Sequence, residues 1–406
     1  MSSYPLNISL RHGYPDFLDL PWHLPLEDWP GNCDRLEEVP RGLSRHPVVF
    51  VNFGGELYAL KEMPPGLAEK EYELLARIED FHLPSVSPVG HVHTQTGERQ
   101  ASVLITRYLD RSIPYRSLFI RSGLERYREH LLDSIAGLLV QLHLNGVYWG
   151  DCSLSNTLFR RDAGTLQAYL VDAETAEIFS ERFSPAERLQ DLQIMEDNIN
   201  HELGELWRAG LLKEGVPGVP ISDTGASIRL RYQRLWEEIT HEEIINPGEH
   251  YRIQERIRAL NNLGFSVGEV ELAGSQNAGE LRVRVAVTDR TFHRDQLHDL
   301  TGLNAEEMQA RQMMNEIQEL KATLSQAHNR NIPISAAAYY WLENIYQPTI
   351  DRLKVLVDQN ADPAELYCQV LEHKWYLSEK AHRDVGHQAA VEDFIRQFGK
   401  EEERAT

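Results

Sequence analysis

One stretch of the chain constrains its fold more than any other: residues 148–159, which read YWGDCSLSNTLF. Asp151 and Asn156 lie five residues apart within it, and a later apolar run ends on Asp172. Upstream, Tyr127–Leu144 carries leucine and isoleucine at three- and four-residue steps, which predicts an amphipathic helix leading into the stretch. Two short β-like segments separated by a turn lie between Asn156 and Asp172. The sequence therefore predicts helix, loop and hairpin as one supersecondary unit.

The residue types of this unit suit the transfer of a phosphoryl group. A γ-phosphoryl group in transfer carries charge that only a metal and positioned donors can stabilise. Such a site needs one carboxylate near the acceptor hydroxyl and two oxygen ligands for Mg²⁺. The central loop (residues 149–156) and Asp172 offer these groups. The Asp-x4-Asn spacing is also typical of turns and helix caps, so the surrounding helix and hairpin are needed to favour the functional interpretation.

A second set of candidate residues lies nearer the N-terminus. Gly54 and Gly55 separate two apolar runs, which is a strong signal for a β-hairpin. Lys61 ends the second run, a position from which a lysine can hold nucleotide phosphates, although a lysine at a strand end is more often a solvated charge. In the helix predicted over Leu67–Ile78, Glu71 borders the apolar face, so we expect it to pair with Lys61.

Length and composition exclude several classes of protein. The 406 residues suffice for two or three domains with a substantial core. Three scattered cysteines, Cys33, Cys152 and Cys368, are too few for a disulfide framework or a zinc site and indicate a reducing cytoplasm. The formal charge of −21 repels phosphate backbones, so nucleic acid is not an expected partner. No apolar run is long enough to predict a membrane span.

Changes of composition divide the chain into four predicted segments. Residues 1–45 are rich in proline and tryptophan and predict an irregular arm whose aromatic side chains pack on the next domain. Residues 46–220 hold the motifs and end at the Pro/Gly-rich break 215–220. Residues 221–400 predict a mainly helical C-terminal domain with a β-hairpin, and residues 401–406 an acidic tail.

The C-terminal domain shows periodic segments but no compact catalytic or metal-binding signature. Its predicted helices cover residues 227–240, 251–263, 305–328, 335–359, 363–376 and 380–398, and its hairpin strands cover 266–273 and 280–287. The long helix from Ala305 offers a surface for a homo-oligomer or a protein partner.

The motifs resemble the kinase-like superfamily and, more narrowly, its bacterial lipopolysaccharide-kinase group of the Kdo kinase type. The resemblance covers about residues 45–215 and rests on Lys61, Glu71, Trp-Gly-Asp151 with Asn156, and Val-Asp172. The C-terminal half resembles a helical domain of unknown function that accompanies such kinase domains in some bacterial, notably actinobacterial, proteins. We therefore expect an α+β fold: a protein-kinase-like bilobal domain, with a small β-rich N-lobe and a mostly helical C-lobe, and a mainly α C-terminal domain.

The resemblance also implies ligands and roles. ATP would lie between the lobes, with Mg²⁺ on Asn156 and Asp172 and with Asp151 as the base for an unidentified hydroxyl acceptor. The main chain of a linker after a buried strand would line the adenine pocket; its residues are Arg107, Tyr108 and Leu109. In the helix predicted over 189–209, Asp191 either bonds the backbone of the central loop, as in kinase-like folds, or is a first-turn acid favoured by the helix dipole.

Three departures from the family pattern leave two hypotheses open. No GxGxxG loop precedes Lys61, where only Gly54-Gly55 is present; Trp149 stands where histidine is usual, and Ala173-Glu174 replaces Phe-Gly. Without the glycine-rich loop, phosphate clamping would be looser or done by other backbone amides, whereas the other two changes remove no ligand. The first hypothesis is an ATP- and Mg²⁺-dependent phosphotransferase. The second is a pseudokinase that senses nucleotide or serves as a scaffold.

Overall fold

The structure is a computed structural model. It describes residues 6–39, 45–96, 99–120, 124, 127–179, 183–212, 215–240, 243–245, 267–274, 281–287, 292–354 and 362–402. The chain divides into two compact units, one formed by Met1–Arg160 and Ala168–Glu237 and the other by Arg161–Gln167 and Glu238–Thr406. The sequence predicts that the first domain ends at residue 220. In the structure the first unit continues to Glu237 and so includes most of the helix Thr224–Thr240.

A five-stranded antiparallel sheet forms one part of the first unit. Its strands in spatial order are β1 (Asn7–Leu10), β4 (Pro88–Thr96), β5 (Arg99–Arg107), β3 (Glu56–Met63) and β2 (Val48–Phe53). Gly54 and Gly55 form the predicted hairpin turn with φ of 65° and 91°. Positive φ at both central positions matches the twist of paired strands and is tolerated by glycine. The prediction that Lys61 ends its strand is wrong, because the strand continues to Met63 and the lysine lies inside it.

The N-terminal segment is more regular than its sequence indicates. The prediction of an irregular arm is wrong at β1, which pairs with β4 along its whole length. The close approach requires Gly90, where a Cβ atom would lie 2.2 Å from the carbonyl oxygen of Ser9. Four residues without a sustained apolar period carry little strand signal, and hydrogen bonds to β4 supply the stability that the sequence pattern lacks. The predicted burial of the arm's aromatic residues is confirmed, since Phe17, Trp22 and Trp29 belong to the core on this sheet.

Helices and short strands complete the first unit. The helices are α1 (Leu67–Asp80), α2 (Tyr115–Ile120), α3 (Arg128–Leu144), α4 (Pro185–Arg208) and α5 (Thr224–Thr240). Two small sheets contain β6 (Ile113–Pro114), β8 (Thr157–Asp162) and β9 (Thr165–Leu170), and β7 (Val147–Tyr148) with β10 (Glu177–Ile178). The ends of β8 and β9 that lie within residues 161–167 belong to the second unit. Helix α4 begins with a capping box in which Ser184 and Glu187 bond each other's backbone N–H groups. The predicted order of helix, central loop and hairpin is confirmed.

The second unit is mainly helical, as predicted. Its helices are α6 (Phe292–Thr301), α7 (Glu307–Ala327), α8 (Ile334–Trp341), α9 (Gln347–Leu353), α10 (Pro363–Ala381) and α11 (His387–Glu402). Its sheet has the order β11 (Glu243–Ile245), β13 (Leu281–Val287) and β12 (Val267–Gly274), so the predicted hairpin is present with one additional strand. The core surrounds Trp341 and Tyr367, whose rings pack edge to face with their centroids 5.5 Å apart. Among the described residues, no helix has the length and apolar character needed to cross a bilayer.

Several helix predictions in this unit need correction. Helix α6 was not predicted, because its ten residues carry few apolar positions. The single helix predicted over 335–359 contains a π-helical turn at Leu342–Tyr346 before Pro348, which has no N–H to continue the ordinary ladder. The predicted break at 377–379 lies instead at 382–386, where His382 and Gly386 adopt positive φ. The helix predicted over 251–263 lies outside the described residues.

The turn between β8 and β9 belongs to the second unit through buried hydrogen bonds. The backbone N–H groups of Ala163 and Gly164 donate to the carboxylate of Glu365 at 2.8 and 3.3 Å. The Oδ1 atom of Asp162 accepts the N–H of Gln309 at 2.9 Å, and the side-chain amide of Gln309 donates to Glu365 at 3.0 Å. Burial, together with the nearby Glu306 carboxylate, raises the pKa of Asp162 to about 8.

This buried acid predicts a pH dependence of stability. Folded Asp162 keeps a proton that the unfolded chain releases above its ordinary pKa of 3.8, so the free energy of unfolding should fall as the pH rises from about 4 to about 8. Asp162→Asn retains the acceptor oxygen and removes the titration, so we expect its urea midpoint to change less over this range. Asp295→Asn, at an exposed position of α6, is the matched control and should follow the parent. Equal pH slopes for Asp162→Asn and the parent would contradict this origin.

Candidate active site

Three elements of the first unit meet at the ammonium of Lys61. Its Nζ atom lies 3.1 Å from Oε2 of Glu71 on α1 and 2.7 Å from Oδ2 of Asp172, which follows β9. The predicted ion pair of Lys61 with Glu71 is therefore present, and the helix phase that selected Glu71 over Glu69 and Glu73 is confirmed. Glu71 also accepts the backbone N–H of Ala173 at 3.1 Å, which fixes the chain just after Asp172.

Burial sets the protonation behaviour of this cluster. Burial alone would lower the pKa of Lys61, but the Glu71 and Asp172 carboxylates outweigh it and raise the pKa above its ordinary value. Burial raises the pKa of Glu71, while the Lys61 ammonium opposes the rise. A third carboxylate, that of Glu174, lies 4.0 Å from the same ammonium. One cation surrounded by three carboxylates leaves a site with excess negative charge, which suits an added cation.

The central loop brings Asp151 and Asn156 together. The side-chain amide of Asn156 donates to the backbone oxygen of Asp151 at 3.0 Å and to its Oδ2 atom at 3.1 Å. The backbone oxygen of Asn156 accepts the N–H of Val171 at 3.1 Å, which places Asn156 beside the residue that precedes Asp172. Because the amide nitrogen of Asn156 is engaged by Asp151, its Oδ1 atom is the group left for a ligand.

Helix α4 holds the central loop through one polar face. Asp191, fully buried, accepts the backbone N–H groups of Trp149 and Gly150, each at 2.9 Å. Of the two interpretations of Asp191, the hydrogen-bonding one is thus confirmed. Glu202 accepts the N–H groups of Leu154 and Ser155 at 2.7 and 3.1 Å, so the loop is fixed near both of its ends. Burial raises the pKa of Glu202, and its hydrogen bond from Ser155 opposes the rise.

A buried histidine, His143, forms a hydrogen bond with the carboxylate of Asp191. The Nε2 atom of His143, on α3, lies 3.0 Å from Oδ2 of Asp191, and its Nδ1 atom lies 2.7 Å from the hydroxyl of Tyr232 on α5. Burial lowers the pKa of His143, which favours the neutral ring. A neutral ring donates from Nε2 to the carboxylate and accepts the tyrosine proton at Nδ1. Both ring nitrogens are then satisfied, and Asp191 is held in place.

Two residues that depart from the family pattern, Trp149 and Glu174, form hydrogen bonds with Asp172. The indole N–H of Trp149, a fully buried side chain, donates to the backbone oxygen of Asp172 at 2.9 Å. The backbone oxygen of Trp149 in turn accepts the hydroxyl of Thr175 at 2.9 Å. Glu174 donates its N–H to Oδ1 of Asp172 at 3.1 Å, and its carboxylate lies 3.2 Å from Nε2 of His46. Trp149 and Glu174 therefore position Asp172 through hydrogen bonds that do not need the usual residue types.

The remaining candidate residues lie around the sheet. Gly55 donates its N–H to Oδ1 of Asn52 at 2.9 Å, so this amide is engaged within the turn. The N–H groups of Arg107 and Tyr108 bond the backbone oxygens of Ser87 and Leu57, each at 2.9 Å. The Arg107 side chain pairs with Glu56 at the surface. Because the N–H groups of Arg107 and Tyr108 are already bonded, Leu109 is the residue of this linker whose main chain is the best candidate to contact an adenine ring.

The donor set fits a magnesium ion of the kind that substrate phosphates complete. Asn156 and Asp172 offer amide and carboxylate oxygens, and Mg²⁺ is usually held by one or two protein groups together with phosphates and water. Within the described part of the chain, no group of three or more His, Cys, Asp and Glu side chains is arranged to hold a metal alone.

Comparisons with known families match two parts of the chain. Residues 54–209 match the family described as "Lipopolysaccharide kinase (Kdo/WaaP) family". The first unit carries a lipopolysaccharide-kinase-like domain. The match places this part of the chain among kinase-like phosphotransferases, and residues 234–398 match a domain of unknown function, DUF4032.

Other comparisons are more distant. No curated protein matches the chain. A solved structure described as WaaP in complex with acyl carrier protein shares 16% identity, with 63% of this chain and 99% of that chain covered, at a TM-score of 0.36. A structure of aminoglycoside-3'-phosphotransferase of type VIII also shares 16% identity, with 52% of this chain and 91% of that chain covered, at a TM-score of 0.35.

Sequence reasoning missed three polar residues of the lipopolysaccharide-kinase-like domain: His143, Asn198 and Glu202. Asn198 and Glu202 follow Asp191 by seven and eleven residues, which puts all three on one face of α4. That spacing was the available signal, but it does not show what the face contacts. His143 lies in a helix that is buried almost throughout, so its sequence environment indicates only a core position.

The hydrogen bonds of Asp191 predict a large effect on stability. Asp191→Ala leaves two loop N–H groups and the His143 ring without their acceptor, and each buried unsatisfied group costs about 1–3 kcal/mol. We expect a loss of at least about 3 kcal/mol in the free energy of unfolding, measured by urea denaturation. Asp197→Ala, at an exposed position of the same helix, should change stability by less than about 0.5 kcal/mol. Equal effects of the two substitutions would contradict the anchoring role.

Proposed function

We propose that the protein is an ATP- and Mg²⁺-dependent phosphotransferase that transfers the γ-phosphoryl group to a hydroxyl of an acceptor. The observation that carries this proposal is the convergence on Lys61 of Glu71 and Asp172, from distant parts of the chain. The backbone bond between Asn156 and Val171 supports it by bringing the central loop to the same place.

Each of these residues has a role in the proposed reaction. Lys61, held by Glu71, neutralises the α- and β-phosphates of ATP. Asn156, through Oδ1, and Asp172, through its carboxylate, would hold Mg²⁺. The bound metal supplies charge stabilisation to the transferring phosphoryl group. Trp149 and Ala173 fix the backbone around Asp172 through their N–H groups, so its carboxylate is oriented before nucleotide binds.

Asp151 is the proposed base. Its two carboxylate oxygens accept amide donors from Asn156 and Asn198, at 3.1 and 2.9 Å. Oδ2 also lies 3.4 Å from Arg45, so Oδ1 is the oxygen proposed to accept the hydroxyl of the acceptor. Because phosphoryl transfer passes through a loose transition state, orienting the hydroxyl and accepting its proton demand little basicity of the carboxylate.

The sheet of the first unit would provide the remaining contacts to the nucleotide. The Gly54-Gly55 turn would cover the phosphates, and the linker Arg107–Leu109 would line the adenine pocket with Leu109 as the main-chain donor. Three free cysteines agree with a reducing cytoplasm in a bacterial cell.

The acceptor is a small molecule, a sugar or lipid, or a protein. The mainly helical C-terminal domain is the proposed surface for a protein partner or a second copy.

Removal of Asp172 tests the proposal. Asp172→Ala deletes a metal ligand and a charge partner of Lys61, so we expect the rate of Mg-ATP consumption to fall by on the order of a hundredfold to a thousandfold. The measurement is ATP consumption with water and with a broad panel of hydroxyl acceptors. Asp80→Ala, at the exposed end of α1, should retain the parent rate. A variant at 172 that turns over as fast as the parent would overturn the assignment.

A pseudokinase acting as sensor or scaffold is the second candidate. One observation favours it: the Gly55 N–H is already engaged by Asn52, which leaves fewer backbone donors in this turn to clamp phosphates. A thermal shift of the full chain with ATP and Mg²⁺ measures binding separately from turnover, since a ligand stabilises the folded state by mass action. Binding without turnover across the acceptor panel would favour this candidate over the phosphotransferase.

A further inference from the structure

Asn198 contacts the proposed base directly. Its Nδ2 atom donates to Oδ1 of Asp151 at 2.9 Å and to the backbone oxygen of Cys152 at 3.2 Å. Asn156 donates to the other carboxylate oxygen, Oδ2, at 3.1 Å. The carboxylate of Asp151 is therefore held from both sides by neutral amide donors. Arg45 also lies 3.4 Å from Oδ2, but its side chain is 86% exposed, and such a surface pair contributes little.

The helix that carries Asn198 is fixed in position. Its neighbours Met195 and Ile199 are fully buried, and the adjacent polar contacts of Asp191 and Glu202 fix the backbone of the central loop. Asn198 differs from these two because its shorter hydrogen bond goes to the Asp151 side chain and not to backbone. Asn198 is therefore a donor on a fixed helix, bonded to a carboxylate whose own backbone is already held.

We propose that Asn198 is a positioning residue that orients the Asp151 carboxylate toward the acceptor hydroxyl. This inference rests on the proposed phosphotransferase function. A carboxylate on a single bond rotates among several orientations, and a hydrogen bond to each oxygen selects one of them. A neutral amide suits this task, because a cationic donor would compete with the incoming hydroxyl for the carboxylate charge. With Asn198 bonded to Oδ1, that oxygen keeps a second lone pair for the acceptor hydroxyl.

A purely structural role for Asn198 gives different expectations. Its bond to the Cys152 oxygen contributes to the shape of the loop, so a variant that loses activity because the loop is distorted should also lose stability and nucleotide affinity. A positioning role predicts a change confined to the chemical step. It also predicts that the effect of Asn198 disappears once Asp151 can no longer act as the base.

The experiment compares five full-length variants with the parent in Mg-ATP consumption: Asn198→Ala, Asn198→Asp, Asp151→Asn, Asn198→Ala in the Asp151→Asn background, and Gln193→Ala. We expect Asn198→Ala to lower kcat by about tenfold to a hundredfold with the KM for ATP unchanged. Asn198→Asp keeps the shape but replaces the donor with a second carboxylate, so its kcat should be at least as low. In the Asp151→Asn background, Asn198→Ala should lower kcat no further. Gln193→Ala removes an exposed amide from the same helix and should match the parent.

The outcomes separate this inference from the function on which it rests. A parent without turnover contradicts both. An active parent with Asn198→Ala at the parent kcat overturns the positioning role alone. The positioning role also falls if Asn198→Ala raises the KM for ATP and lowers the thermal midpoint together, or if it lowers kcat equally in the Asp151→Asn background. If Asn198→Ala fails to fold, the comparison of Asn198→Asp with the parent by the same criteria decides the question.

Discussion

The buried ion pairs of Lys61 are the interaction on which the geometry of the site depends. Its side chain is only 14% exposed, so the charge requires partners, and Glu71 and Asp172 provide them at 3.1 and 2.7 Å. These residues belong to β3, to α1 and to the segment after β9. The position of the helix on the sheet and the position of Asp172 are therefore coupled through one ammonium. Loss of that charge would leave two carboxylates facing each other, one of them fully buried.

The polar face of α4 provides a second constraint, independent of the first. The central loop has little regular secondary structure, yet Asp191 fixes its start and Glu202 its later residues through backbone N–H groups. A loop held by side chains of a rigid helix keeps a defined shape without its own ladder of hydrogen bonds. The chain of contacts continues to His143 and Tyr232, so three helices contribute to the position of one loop.

The local pattern of the sequence predicted those parts of the site that depend on periodicity. Helix phase placed Glu71 at the border of an apolar face, and the Gly-Gly signal placed the hairpin before Lys61. Contacts between distant polar groups were not predictable in this way, because Asn198 and Glu202 have the residue types of any solvated helix face. The same limit applies to β1, where pairing with β4 outweighs a weak local pattern. Periodicity determines which face of an element is buried, whereas the partner of a polar side chain depends on the tertiary fold.

The charges around Lys61 exceed what the stability of the fold requires. A buried ion pair costs desolvation energy on both partners, and apolar residues of similar volume often stabilise a core equally well or better. Two carboxylates near one ammonium, with a third at 4.0 Å, exceed what pairing requires. In the proposed function, a metal ion with bound phosphates would balance this excess, because the cation would neutralise the carboxylates while the ammonium would contact the phosphates. Trp149 and Glu174 orient Asp172 by hydrogen bonds alone, so the substituted motif positions are compatible with the same chemistry.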